Sequence, residues 1–144
     1  MRFSIITPSF NQGKWLPQTI QSVLSQEGVE IEYFVMDGGS SDGSAAIIEA
    51  HADRLAGWVS KKDDGQTDAL NKGLARCTGD IVGYINSDDF YLPGALRAVR
   101  DAFAARPDAD LVAGTVENIR GDTVVQTIAA VVPTLAEAMG RHRY

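Results

Sequence analysis

Short apolar runs alternate with longer stretches of helical periodicity through the first hundred residues, and this alternation constrains the chain more than any other feature. Residues 3–6, 31–36, 57–60, 80–85 and 110–114 read as strands, rich in branched and aromatic side chains of the kind that parallel sheets bury on both faces. Between them, Leu16, Ile20, Val23 and Leu24 share one helical face, and Pro17 suits a first turn. Ser44 is placed to cap a helix reaching Ala52, and Thr67 to Ala75 sets Leu70, Gly73 and Leu74 on one side. Pro93 opens a helix carrying Leu96, Val99 and Phe103, which Arg106-Pro107 ends. Repeated strand-helix units require crossovers between parallel strands. The expected fold is therefore an open, mostly parallel α/β sheet with helices on both faces. After Gly114 the pattern changes. Residues 116–119 and 123–128 flank Arg120-Gly121-Asp122 and predict a C-terminal β-hairpin, and residues 133–144 read as one helix. No repeat or linker interrupts the sequence, so residues 1–144 are expected to form a single domain.

Charge and cysteine usage narrow the function. A net charge of -6 argues against nucleic acid as a partner, which calls for a basic face, and fits either a carboxylate site for a cation or a solubilising surface. The lone Cys77 cannot form an internal disulfide and has no neighbouring His to activate it, which points to a reducing compartment. The first residues lack a signal-peptide pattern, and the apolar run 128–132 is too short for a transmembrane segment. A cytoplasmic location is expected, with peripheral attachment to a membrane left open. His51 and His142 lie apart from the polar clusters, so neither a His-centred relay nor a zinc site is supported.

Those clusters carry the functional signal. Thr7-Pro8-Ser9-Phe10-Asn11, then Asp37-Gly38-Gly39-Ser40-Ser41-Asp42-Gly43, then Asn86-Ser87-Asp88-Asp89, each follow the carboxyl end of a predicted strand. In an open parallel sheet those ends share one edge, where ligands bind at the reversal of strand order. Each cluster has a plainer reading: a turn, a loop leading into a helix, or charge placed near the helix at Pro93. Two adjacent carboxylates repel one another, however, and hard oxygen ligands suit Mg²⁺ or Mn²⁺.

The strings "SIITPSFNQGKWLPQTIQSVLSQ", "EYFVMDGGSSDGS" and "KKDDGQTDALNKGLARCTGDIVGYINSDDFYLPGAL" resemble, in this order, the family 2 glycosyltransferases with the GT-A fold, over roughly residues 2–125. The resemblance implies a GT-A-type donor-binding domain. It would transfer a sugar from a nucleoside-diphosphate sugar, usually UDP-linked, with inversion at the anomeric carbon. The acceptor would be a hydroxyl of a glycan, a lipid-linked saccharide or another molecule. By motif, Thr7, Pro8, Ser9 and Asn11 match the first nucleotide-contacting loop, and Asp37 matches the carboxylate that bonds the uracil ring. The family pattern has a second acidic residue there, where this chain has Gly38. Asp64, Asp68 and Lys72 fall on the donor-side helix, with capping of that helix as the alternative for the two acids. Asn86 stands in place of the first carboxylate of the metal motif, leaving Asp89 as metal ligand and Asp88 as its partner on metal or ribose.

Inversion also needs a base for the acceptor proton. The resemblance places that residue in the acceptor half, beyond Tyr144, with Glu117 and Asp122 as candidates only by default. Two other classes compete. One is a non-catalytic nucleotide-sugar-binding module that lacks the base. The other is a dinucleotide-binding oxidoreductase domain, but its first strand should end in a glycine-rich turn, whereas "GGSSDG" follows the second strand.

Overall fold

The computed structural model describes residues 1–129, and the expected helix at 133–144 lies outside them. The chain divides into two compact units, one spanning Met1–Arg100 and the other starting at Asp101.

The first unit is built on a four-stranded parallel sheet of β1 (Arg2–Ser9), β2 (Glu30–Asp37), β3 (Gly57–Ser60) and β4 (Ile81–Tyr84), in the order β3-β2-β1-β4. β1 is central and pairs in register with β2 from Arg2 opposite Glu30 to Ser9 opposite Asp37. The order records the path of the chain. It moves outward from β1 to β2 to β3, then returns past β1 to lay down β4 on the other side. The reversal therefore falls between β1 and β4.

Alternation along the strands builds two cores. Phe3, Ile5, Tyr33 and Val35 pack with Leu16, Ile20 and Val23 of α1 (Leu16–Leu24), Ile48 of α2 (Ser44–Glu49) and Leu96 of α4 (Ala95–Ala105). On the opposite face Ile6, Phe34 and Met36 pack with Ala69 of α3 (Gln66–Leu74), and Leu70 adds to this cluster. Helices thus cover both faces, as the periodicity requires. α3 approaches β1 closely because of Gly73: a Cβ there would lie 2.6 Å from Ile6 Cγ2, too close for packed atoms.

Two helix starts differ from expectation. Ser44 is the first helical residue and not the cap. Gly43 occupies the cap with φ 92°, and the Asp42 carboxylate accepts the Ser44 N–H at 3.1 Å. α4 begins at Ala95, and the buried Gln26 amide accepts the Leu96 N–H at 3.1 Å, doing the work of a cap from another helix.

In the second unit, residues 110–114 do not form the expected fifth strand. Leu111 is 66% exposed and no strand pairs with this segment among the described residues. An isolated apolar run has no ladder partner for its backbone groups, so its strand propensity goes unused. The hairpin does form, with β5 (Val116–Arg120) antiparallel to β6 (Thr123–Ile128) across Gly121-Asp122.

Candidate functional site

Four loops leave the carboxyl edge of the sheet, and hydrogen bonds between them define a cavity. After β1, Asn11 adopts φ 53°, tolerated because its short amide bonds locally: its Oδ1 accepts the Ser41 N–H at 3.0 Å. Its own N–H donates to Ser40 Oγ at 2.7 Å, and Gly13 N–H donates to Asp42 Oδ2 at 2.7 Å. The Ser44 hydroxyl and the Gly13 N–H hold the Asp42 carboxyl below its ordinary range. The loops after β1 and β2 are thereby fastened together.

Asp37 organises the next pair. Its carboxylate is 1% exposed and accepts from Gly39 N–H, Ser40 N–H, Ser40 Oγ and, at 2.7 Å, Ser60 Oγ at the end of β3. Gly39 is required here twice over. Its φ is +84°, and a Cβ would meet the Lys62 backbone nitrogen at 2.8 Å.

The loop after β4 rests on α1. Thr19 Oγ1 shares its proton between the carbonyls of Ser87, at 2.9 Å, and Asp89, at 2.7 Å. Asn86 links two elements: its Oδ1 accepts from Gln66 at the start of α3 at 2.7 Å, and its Nδ2 donates to Asp89 Oδ2 at 3.1 Å.

The resulting cavity of about 410 Å³ is lined by Pro8 and Ser9 at the end of β1 and Phe10 after it, Gly38 after β2, Lys62 and Asp63 after β3, and Asn86, Ser87 and Asp88 after β4. Gln12, Gly65, Gln66 and Ala69 complete its wall. It lies where strand order reverses, the position physics favours for a ligand in an open α/β sheet. Ser9 Oγ is buried and has no hydrogen-bond partner among the described residues, so this wall holds a polar group still to be satisfied.

The residues singled out from sequence separate into two groups. Pro8, Ser9 and Asp88 line the cavity. Thr7, Asn11, Asp37, Asp64, Asp68, Lys72 and Asp89 do not. Thr7 points into the core and bonds the Tyr33 hydroxyl at 2.8 Å; burial raises the Tyr33 phenol above its ordinary range, and the bond to Thr7 opposes that rise. Asn11 and Asp37 shape the loops from behind. Asp68 accepts the Asp64 N–H at 3.1 Å and pairs with Lys72 at 2.6 Å, one turn along α3. That contact lowers the Asp68 carboxyl and raises the Lys72 ammonium. Gly65 occupies the cap of α3 without a side-chain cap bond, so neither acid caps the helix through its carboxylate. The cavity residues not singled out from sequence include Lys62 and Asp63, together with Gln12, Gly65, Gln66 and Ala69. Asp63 and Lys62 stood inside a quoted motif, in "KKDDG", but only the turn geometry shows that Asp63 faces inward and Asp64 does not.

The donors near the cavity fit a divalent cation. Asp88 and Asp89 supply hard carboxylate oxygens on adjacent residues. No three His, Cys, Asp or Glu side chains converge among the described residues, so a bound ion would draw its remaining ligands from phosphate and water, as Mg²⁺ commonly does.

Fold and site together define an open α/β domain with its ligand edge at the β1/β4 reversal. The chain belongs to glycosyl transferase family 2, whose model matches residues 4–139. An uncharacterised glycosyltransferase of Nostoc sp. is 32% identical over 107 residues, covering 72% of this chain and 33% of the relative. Escherichia coli chondroitin synthase is 30% identical over 102 residues, covering 69% of this chain and 15% of the synthase. The chain thus spans a third or less of the length of these relatives. S. aureus TarS in complex with UDP superposes with a TM-score of 0.72 at 24% identity, over 88% of this chain and 38% of that one. The Pyrobaculum calidifontis mannosyltransferase PcManGT, in complex with GDP-Man and Mn²⁺, gives 0.65 at 23% identity, over 82% and 35%. These likenesses establish the GT-A fold. Among the described residues no helix is long and apolar enough to cross a membrane.

Proposed function

We propose that this chain binds the donor of a glycosyl transfer, a nucleoside-diphosphate sugar held with Mg²⁺ or Mn²⁺, and that the sugar passes to an acceptor hydroxyl with inversion. The observation that carries this reading is the cavity at the strand reversal, with the unsatisfied Ser9 hydroxyl on one wall and the Asp88 carboxylate on another. Within family 2 such a cavity takes the donor, and UDP is the first nucleotide to test. Asp88 and Asp89 would hold the cation, which would supply positive charge to stabilise the departing nucleoside diphosphate. The acceptor oxygen forms the new bond to the anomeric carbon while the bond from that carbon to phosphate oxygen breaks, and a base takes the acceptor proton. None of the carboxylates on the cavity wall is assigned that last role. Glu117 on β5 and Asp122 in the hairpin turn belong to the second unit and gain no support from the geometry.

Titration calorimetry of the chain with UDP tests the reading. Affinity should rise about tenfold or more, ~1.4 kcal/mol, on replacing EDTA with Mn²⁺. Equal affinities in both buffers would remove the cation from the proposal, and no binding in either would remove the nucleotide.

A further inference from the structure

The cavity wall holds one more carboxylate, and its position explains the glycine beside it. A Cβ built on Gly38 would lie 2.9 Å from Asp63 Oδ1, 3.0 Å from Oδ2 and 3.1 Å from Cγ. Nothing else approaches that point as closely, and Gly38 does not need positive φ. A side chain at position 38 would therefore have to displace the Asp63 carboxylate, and no positive φ asks for glycine there. The Asp63 carboxylate fills the space into which a second acidic residue after Asp37 would project. It arrives from the neighbouring loop, after β3.

We propose that Asp63 is the residue that reads the nucleobase of the donor, and that Gly38 is small so that this carboxylate can stand there. The inference rests on the donor-site reading above. Three observations carry it. First, Asp37 cannot perform the task directly, because it is 1% exposed and its two oxygens already accept from four donors. Second, Asp63 is held and yet available. Its Oδ1 accepts the Gly65 N–H at 2.9 Å, which fixes the side chain in the turn, while its Oδ2 accepts nothing from the described residues. Third, the ends of the cavity differ. Asp63 follows β3 and Asp88 follows β4, the two edge strands of the sheet, and both line the same cavity. A diphosphate anchored through a cation at Asp88 leaves the base at the Asp63 flank.

A carboxylate only accepts hydrogen bonds. It therefore selects a base edge that presents a ring N–H, namely uracil N3–H or guanine N1–H with its amino group. It disfavours cytosine and adenine, whose corresponding ring nitrogen carries a lone pair pointed at the carboxylate.

The experiment measures the affinity of the chain for UDP, GDP, CDP, ADP and N3-methyl-UDP in Mg²⁺. Wild type should bind UDP or GDP at least about tenfold more tightly than CDP and ADP, and the higher of the two identifies the base. If that base is uracil, N3-methylation should abolish the preference. D63N keeps an oxygen for the Gly65 N–H, so the turn survives, but its amide can present a donor to the base. Its UDP/CDP or GDP/ADP ratio should collapse toward one. The double variant D63G/G38D moves the carboxylate onto the adjacent loop and should restore part of the ratio that D63N loses. Unchanged ratios in D63N, with all four nucleotides weakened equally, would show that Asp63 only shapes the turn and would overturn the proposal. Failure of wild type to bind any of the four would instead overturn the donor-site reading, and this assignment with it.

Discussion

Two buried carboxylates stand at opposite ends of the same strand, and they do different work. Glu32, near the start of β2, is 4% exposed and accepts from Ser4 Oγ, Thr78 N–H, Thr78 Oγ1 and Gly79 N–H, with the Arg2 guanidinium at 2.7 Å. Asp37, at the end of β2, accepts four hydrogen bonds but pairs with no cation among the described residues. Glu32 ties β1 and β2 to the segment before β4, contacts that span up to 47 positions in sequence. Asp37 draws its partners from the loops and from Ser60, close to where the ligand would lie. The same device closes the fold at one edge and pre-forms a site at the other. Damage at the first should appear as lost stability, and damage at the second as lost stability coupled to lost binding.

The largest expected effect follows from that contrast. Glu32→Ala strands three donors, since the Gly79 N–H keeps Ser4 Oγ, and a partly covered guanidinium, and should cost roughly 3 kcal/mol in urea unfolding. Nucleotide affinity should hold wherever the variant remains folded. Acid titration checks the same group. Burial alone would raise its pKa, but the hydrogen bonds from Ser4 and Thr78 and the Arg2 charge outweigh that and hold it down to about 2 from an ordinary 4.5. A depressed folded-state pKa contributes stability that is fully present above about 4.5 and is lost as pH falls toward 2. Wild type should lose stability through that window, and Glu32→Gln should lose much less. A parallel fall in both proteins would show that another group governs acid unfolding.

Asp37→Asn should be milder, about 1–2 kcal/mol, since the amide keeps an acceptor but turns an N–H₂ toward donors. It should also weaken UDP binding, because the loops carrying Gly38 and Asp63 lose their anchor. If Asp37 met the base directly, affinity would drop with the melting temperature unchanged. Finding that pattern would break the contrast between the two ends of β2.

The sequence made much of this legible, for identifiable reasons. Periodicity located the four strands of the sheet, and the reversal of strand order turned three separate polar clusters into one edge. What remained hidden depends on side-chain direction. Thr7 sits in a string of polar residues, yet it shares the phase of Phe3 and Ile5, and that alternation is the signal that it faces Tyr33 in the core. Residues 110–114 carry strand composition without a partner strand among the described residues, which composition cannot report. The meeting of Gly38 with Asp63 joins two loops 25 positions apart and leaves no local trace.

The smallest stability effect, and the sharpest test of the ligand edge, belongs to Asp89→Asn. A position near the start of α4 offered two roles, metal ligand or partner of the helix end. The helix begins at Ala95 and its Leu96 N–H is already accepted by Gln26, so Asp89 is not its cap. What holds Asp89 in place is backbone: its carbonyl accepts from Thr19 at 2.7 Å and its N–H donates to Asn86 at 3.1 Å. Both bonds survive the substitution, and the side chain loses only a charge-assisted contact with the Asn86 amide at an exposed position. Apo stability should therefore change by no more than about 0.5 kcal/mol. Relief of repulsion between Asp88 and Asp89 opposes even that loss. The increase in melting temperature produced by Mn²⁺ and UDP together should vanish, because the neutral amide no longer offsets the cost of dehydrating the ion. Melts of both proteins, each with and without Mn²⁺ and UDP, separate the two roles. A variant that melts several degrees lower when empty but keeps the full ligand-induced shift would place Asp89 with Glu32 among the residues that only hold the fold.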